Sequence, residues 1–389
     1  MNTHNPICTA ATTTTQPQNP LLKLALDVHA DTIVAAPMWD AVLKPPRRFS
    51  PGGLLEWVQH QQAAGWRMVS CYEAGPFGYT LHRQLTALGV TNLVIRPRDW
   101  DSEHKRVKTD GTDACAMLVA LDRYLAGQQH ALCVVHVPTE TQERLRAQSR
   151  LRDQLVRQKK HLAQRGRGLA LQFGYRLKGR WFGPRNWPRW QQQLPDWLQA
   201  LLEALRPSLD TLHQQVRVLT EQIEAVAVVD RPIGLGTLTA EILRREVGDW
   251  NRFHNRRQVA SYTGLVPSEH SSGPTRYQGR VTKCGNPRLR WALCEAAWRL
   301  VRYQPEYRLV KKWKPRILDP HTSRGKRKQA LVALARGFAI DWWRLQTAQT
   351  TAEKLGLKLT TNTGRSGVAC VRAPGVMNPA SFRGDCPLG

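Results

Sequence analysis

The sequence predicts an α/β domain at the N-terminus, a helical segment with a coiled-coil seam behind it, and a mainly helical C-terminal domain. Three observations carry this prediction. Over residues 22–137 short apolar runs alternate with helical patterns, the mark of a sheet flanked by helices. Between Leu198 and Val226 apolar residues recur at alternating spacings of four and three, as a coiled-coil seam requires. After Asp230 the turn Pro232-Ile233-Gly234-Leu235-Gly236 leads into an apolar helical stretch over 239–247, in the manner of a helix-hairpin-helix.

The α/β domain spans 21–138. Its strands are expected at 24–28, 32–38 and 47–49, then at 67–72, 92–95 and 132–136, because each is a short β-rich run bounded by turn residues. Helices are expected at 53–64, 77–88 and 110–125. Three leading strands followed by α-β-α-β units make a mixed sheet. The second segment, 139–229, is helical but weakly periodic to Leu171, then rich in Gly, Arg and Trp over 173–190. Its seam (Leu198, Leu202, Leu205, Leu209, Leu212, Val216, Leu219, Ile223 and Val226) reads as the core stripe of a helical hairpin, with an intermolecular coiled coil as the alternative. Pro207 inside it predicts a kink or a fresh helix start. The C-terminal domain spans 230–345. Residues 1–20 and 346–389 show no periodicity and are expected to be disordered.

Charge narrows the partners. The 389 residues hold 57 Lys+Arg against 30 Asp+Glu, a net charge of +27, and a surplus of that size calls for a polyanion. It is local: 144–189 holds 14 Lys/Arg and one acid (Asp153), and 276–328 holds 16 with three acids (Glu295, Glu306 and Asp319). Basic stretches broken by Gly, Pro and Trp favour nucleic acid over a membrane surface. Phosphates would meet the Lys/Arg, and bases would stack on indoles. The 181–190 stretch is read as a nucleic-acid-binding tip between two helices, with Trp181, Arg185 and Trp187 as contacts. The eight cysteines form no CxxC pair, which argues against zinc or redox chemistry. No run approaches the ~20 apolar residues of a membrane span. With no apolar leader in the polar N-terminus, a cytoplasmic location is expected.

Acids are conspicuous in so basic a chain. Asp27 sits near the end of the first strand, and Glu73 directly follows the strand ending at Tyr72. Asp110 and Asp113, three apart at a helix start, share a face. A lone carboxylate in an apolar strand is costly, and four together require divalent cations. Oxygen-only ligands favour Mg²⁺ or Mn²⁺ in an arrangement suited to phosphoryl transfer. The bland alternatives are a helix N-cap for Asp110 and a turn residue for Glu73.

These residues carry a resemblance. Leu26-Asp27-Val28-His29, Tyr72-Glu73-Ala74-Gly75 and Lys108-Thr109-Asp110-Gly111-Thr112-Asp113 resemble the DEDD transposases of bacterial insertion sequences, relatives of the pilin-gene invertase and known as bridge-RNA-guided recombinases. A second set runs through Ala260-Ser261-Tyr262, Gly264-Leu265-Val266-Pro267, Ser271-Ser272-Gly273, Gly279-Arg280-Val281-Thr282-Lys283 and Glu295-Ala296-Ala297. The resemblance covers roughly 22–345. It implies a Holliday-junction-resolvase-like, RNase H-fold first domain whose metal ligands are Asp27, Glu73, Asp110 and Asp113. A coiled-coil segment and a transposase domain with a nucleophilic serine, Ser272 by motif position, would follow.

The resemblance further implies strand exchange between donor and target DNA through a phosphoserine link, programmed by a structured RNA. Dimers would pair into a tetramer with composite sites. Read from the residues alone, Ser268 and Ser271 compete with Ser272, which also suits a simple turn before Gly273. His270 reads as incidental. Arg276, Arg280, Lys283, Arg288 and Arg290 would neutralise DNA phosphates. The rival readings are a structure-selective nuclease using only the carboxylates and a non-enzymatic nucleic-acid-binding protein.

Overall fold

A computed structural model describes residues 20–100, 110–226, 230–273 and 275–360. The chain divides into two compact units, the first ending at Val137 and the second beginning at Pro138. In the first, strands β1 (Leu21–Val28), β2 (Ile33–Trp39), β3 (Val42–Leu43) and β4 (Arg47–Phe49) precede helix α1 (Pro51–Ala63). Strand β5 (Arg67–Glu73), helix α2 (Thr80–Ala87), strand β6 (Thr91–Ile95) and helix α3 (Asp110–Leu125) complete it. The sheet order is β3-β2-β1-β5-β6, with β4 also on β2. β1 is antiparallel to β2 and parallel to β5, which is parallel to β6. The sheet is therefore mixed, as predicted.

The period-2 alternation of β1 explains how both faces are covered. Leu22, Leu24 and Leu26 point to the side of α1 and α2, where they bury Leu54, Val58 and Leu85. Ala25, Ala36 and Cys71 face α3 and pack on Ala114, Met117, Leu118 and Leu121. Small residues on that face let α3 lie close to the sheet. Burial also pushes the Cys71 thiol up to about 12, so it is a packing group and not a reactive one. The strand expected at 132–136 is corrected: among the described residues it is a single bridge, Ile95 to Val134. It lies at the sheet edge, Val134 is exposed, and only Leu132 enters the core.

The second unit opens with α4 (Glu140–Gln172), capped reciprocally by Thr139 and Gln142. Short helices α5 (Trp187–Gln191) and α6 (Asp196–Glu203) lead to α7 (Arg206–Ala225), which starts afresh with Pro207 in its first turn. α7 returns antiparallel along α4. Gln148 donates to Gln222 at 3.1 Å, Arg152 to Thr220 at 2.6 Å, and Lys159 meets His213 at 3.4 Å. The seam residues Leu209, Val216 and Ile223 are buried, so within the chain the seam forms a helical hairpin.

Then come β7 (Arg231–Pro232), α8 (Thr237–Val247), α9 (Arg256–Thr263), β8 (Pro267–Ser272), β9 (Thr275–Val281) and α10 (Pro287–Tyr303). α11 (Arg308–Leu318), α12 (Arg324–Gln346), α13 (Ala352–Leu355) and β10 (Leu359–Thr360) follow. α8–α12 share one apolar core, including Leu243, Leu293, Leu300, Leu334 and Phe338.

Two expectations change here. The glycine turn at 234 follows a strand, β7, and its left-handed Gly234 (φ +90°) leaves room for Tyr303, whose ring a Cβ would meet at 2.5 Å. It is therefore a packing turn. The tail expected to be disordered from 346 is ordered over its first part, 346–360. Leu355 and Leu357 are buried, and β10 pairs with β7. Gln304 also links Ile233 to Lys358 through its side-chain amide.

The hairpin and the C-terminal helices are one unit because α4 is bolted to α8. Arg146 donates to the Arg245 carbonyl at 2.9 Å, and the fully buried Glu246 carboxylate receives Arg150, Arg288 and Asn286. Burial alone would raise the Glu246 carboxyl. The hydrogen bonds from Arg150 and Asn286 and the two guanidinium charges outweigh it and hold the group below its ordinary value. Glu246→Gln should cost about 1–3 kcal/mol, since it weakens the bonds from half-exposed Arg150 and from Arg288, which keeps Asp153. The stabilisation from a lowered carboxyl is present above its ordinary 4.5 and lost as pH falls through the folded value. Urea denaturation should therefore show a wide gap between wild type and variant at neutral pH that closes in acid.

Candidate functional site

The first unit gathers carboxylates at the carboxyl ends of its parallel strands, where open α/β sheets place their ligands. Leu26 pairs with Tyr72 across β1 and β5, so Asp27 and Glu73 follow as neighbours along that edge. α3 brings Asp110 and Asp113 in its first turn. The Lys108-Thr109 part of the motif lies outside the described residues. Asp27 and Asp110 are half-buried and meet around His29, whose Nε2 is 3.4 Å from Asp27 Oδ2 and 3.8 Å from Asp110 Oδ2. Ligand atoms of these three lie within 4.8 Å of one another.

The electrostatics show a site short of positive charge. Burial raises the Asp27 carboxyl above its ordinary value, His29 pulls it back, and the charges of Asp110 and Asp113 add to the rise. Three of the four predicted acids thus act on one another. Glu73 takes a different partner set: its carboxylate accepts from the Trp100 indole at 2.5 Å and from the Arg98 amide at 3.2 Å. Asp27 and Asp110, with Asp113 following on the same helix, suit a divalent cation, which would offset both the burial and the neighbouring charges that raise Asp27. His29 was missed by sequence reasoning. A histidine in a strand-end turn carries no signal until α3 is placed beside it.

The second unit carries the serine. Ser272 is exposed at the end of the β8–β9 hairpin, paired with Thr275 across a turn through left-handed Gly273 (φ +56°). Of its competitors, Ser271 donates to Glu269 at 3.0 Å, and Ser268 lies against Gly279, where a Cβ would meet its Oγ at 2.4 Å. Arg280 and Lys283 are exposed nearby in the chain. The side chain of Arg276 lies outside the described residues. Arg290 braces a turn through the carbonyls of Thr263 and Lys283.

The expectation for Arg288 is corrected. It is mostly buried and spans Asp153 at 2.7 Å and Glu246 at 2.9 Å, so its charge is already matched inside the protein. Trp181 and Trp187 are corrected too. Both are buried, and Trp181 donates to the Ala163 carbonyl over Gly166, where a Cβ would come within 2.3 Å of the ring. They anchor the tip, while Arg185 remains exposed on it.

Exposed indoles occur elsewhere. Trp291 and Trp298 are about half exposed on one face of α10. Trp298 lines a groove of about 580 Å³ with Arg299, Val301, Arg302, Lys314 and Leu318. No acid is among these lining residues. No helix of the described residues is long and apolar enough to cross a membrane.

Comparison with known proteins gives one consistent picture. Residues 228–311 match the model of the transposase IS116/IS110/IS902 family. A putative transposase of Sinorhizobium fredii, y4qE, is 31% identical over 66% of this chain and 64% of its own length, so the chain spans a little under two thirds of it. The transposase for insertion sequence element IS1111A of Coxiella burnetii is 27% identical over 69% of this chain and 75% of its own. A probable family 20 transposase of Pseudomonas aeruginosa is 30% identical over 57% of this chain and 67% of its own.

Proposed function

This chain belongs to the IS116/IS110/IS902 family of transposases, enzymes that cleave and join DNA, and from that premise we propose a serine-nucleophile, DEDD-type recombinase. The approach of Asp110, at the start of α3, to Asp27 and His29 at the end of β1 is the observation that carries the reading, with the charge of Asp113 also felt at Asp27. The mixed sheet is compatible with an RNase H-like domain. A divalent cation, Mg²⁺ or Mn²⁺, would supply Lewis acidity at a scissile phosphate.

The protein's own groups do the rest. The Ser272 hydroxyl attacks phosphorus, gives up its proton, and becomes a phosphoserine as one strand leaves with a free hydroxyl. A hydroxyl from a second strand then attacks the phosphoserine and releases the serine. The phosphodiester energy is kept, which separates exchange from hydrolysis. Serine and acids would form a composite site, supplied by different protomers of a tetramer built from dimers. A structured element-encoded RNA would choose donor and target DNA.

Nucleic-acid contact is assigned to the exposed cations, with the Trp298 groove as stacking surface in place of Trp181 and Trp187. Its support is an exposed indole rimmed by three cations. Trp298→Ala should weaken binding of single-stranded oligonucleotide by about 1–3 kcal/mol. Arg302→Ala should reduce the slope of log affinity against log salt by about 0.7. Fluorescence titrations over a salt series measure both, and unchanged affinities would move the contact elsewhere. The serine reading is tested by trapping the covalent link, as set out below.

A further inference from the structure

We infer that His29 is a nitrogen ligand of the metal centre, through Nε2, and that it biases the centre toward Mn²⁺ over Mg²⁺. This rests on the carboxylate centre proposed above but adds a ligand outside the four acids. The His29 amide donates to the Thr32 carbonyl at 2.9 Å, closing the β1–β2 turn and fixing where the ring leaves the backbone. The ring then reaches both strand-end and helix-start acids, at 3.4 Å from Asp27 Oδ2 and 3.8 Å from Asp110 Oδ2.

Those spacings approach those of a coordination shell. At metal–ligand distances of about 2.0–2.1 Å, adjacent octahedral ligands stand about 2.9 Å apart and opposite ones about 4.2 Å. Both separations fall between these and the three ligand atoms lie within 4.8 Å of one another, so side-chain rotation that draws them together would place all three on one ion. The consequence is selectivity. Mg²⁺ favours an all-oxygen shell with several waters, whereas imidazole suits the transition-metal ions. The competing role for His29 is a protonated counter-ion that merely balances Asp27 and Asp110. That role needs no bond to metal and would weaken cation binding by repulsion.

Electron paramagnetic resonance on the untagged full-length chain separates the two. With Mn²⁺ added, pulsed spectra of the wild type should show ¹⁴N modulation from a bound imidazole. His29→Asn should lose that modulation and reduce the preference for Mn²⁺ over Mg²⁺, read by competition, by about tenfold. Bound Mn²⁺ without nitrogen coupling in the wild type would overturn the inference and leave the carboxylate centre standing. No bound Mn²⁺ at all would sink the centre and this ligand together. The wild-type spectrum decides whether an imidazole is bound at all, and a second variant, His29→Gln, assigns it to His29 should His29→Asn fail to fold.

Discussion

Replacing Ser272 by alanine abolishes covalent protein–DNA adducts and lowers strand exchange by on the order of 10⁴-fold or more, while nucleic-acid affinity and melting temperature stay unchanged. The loss is large because Ser272 supplies the attacking oxygen itself. Ser271 is engaged by Glu269, and Ser268 is wedged against Gly279. The unchanged stability follows from position: Ser272 is exposed at a hairpin end, where removing one hydroxyl alters no buried contact. Ser271→Ala is the control and should retain exchange. If Ser272→Ala recombined at the wild-type rate, the nucleophile would have to be reassigned.

Asp27→Asn is expected to move stability and activity in opposite directions. A carboxyl held above its ordinary value contributes stability below that value and loses it as pH rises through the folded one. At neutral pH the metal-free protein therefore carries a charge at Asp27 that burial, Asp110 and Asp113 disfavour and His29 only partly offsets. Removing it should raise the melting temperature of metal-free protein, by roughly 2–4 °C for each kcal/mol relieved. In the wild type Mn²⁺ should raise the melting temperature, more at neutral pH than in acid. In the variant that rise should shrink or vanish, and strand exchange should fall by on the order of 10²–10³-fold. Scanning calorimetry with and without Mn²⁺ reads the first effects, and a recombination assay reads the last. A variant that still gained stability from Mn²⁺ would place the cation elsewhere.

Local pattern carried the first unit well. Leu22, Leu24 and Leu26 announce a strand whose larger apolar side chains share one face, and Asp27 at its end stands out because nothing in an apolar strand accounts for a carboxylate. Asp110 and Asp113 announce a helix start that shares a face. The apolar run at 132–136 was legible in part: it meets the end of β6 through the Ile95–Val134 bridge and two backbone bonds, Arg96 to Cys133 and Val135 to Val94, without extending into a full strand. Local pattern did not show the true places of Trp181 and Arg288. Composition shows that indoles and cations are abundant, but Gly166 and Glu246, distant in sequence, decide which of them turn inward. His29 is the same case at the site: its meaning comes from Asp110, brought back by α3. Leu355 and Leu357 were invisible as core because a four-residue helix and a two-residue strand give no period to read.

The account's central claim is a phosphoserine at Ser272 formed under control of the carboxylate centre. The most direct test incubates the chain with Mn²⁺, labelled DNA carrying the element end, and RNA from the element's non-coding flank. Denatured products are then digested and the DNA-linked peptide is identified by mass spectrometry. The account predicts a metal-dependent adduct on the peptide containing Ser272, absent from Asp27→Asn. Cleaved DNA with no protein attached would contradict it and make the chain a nuclease that uses its carboxylates and water alone.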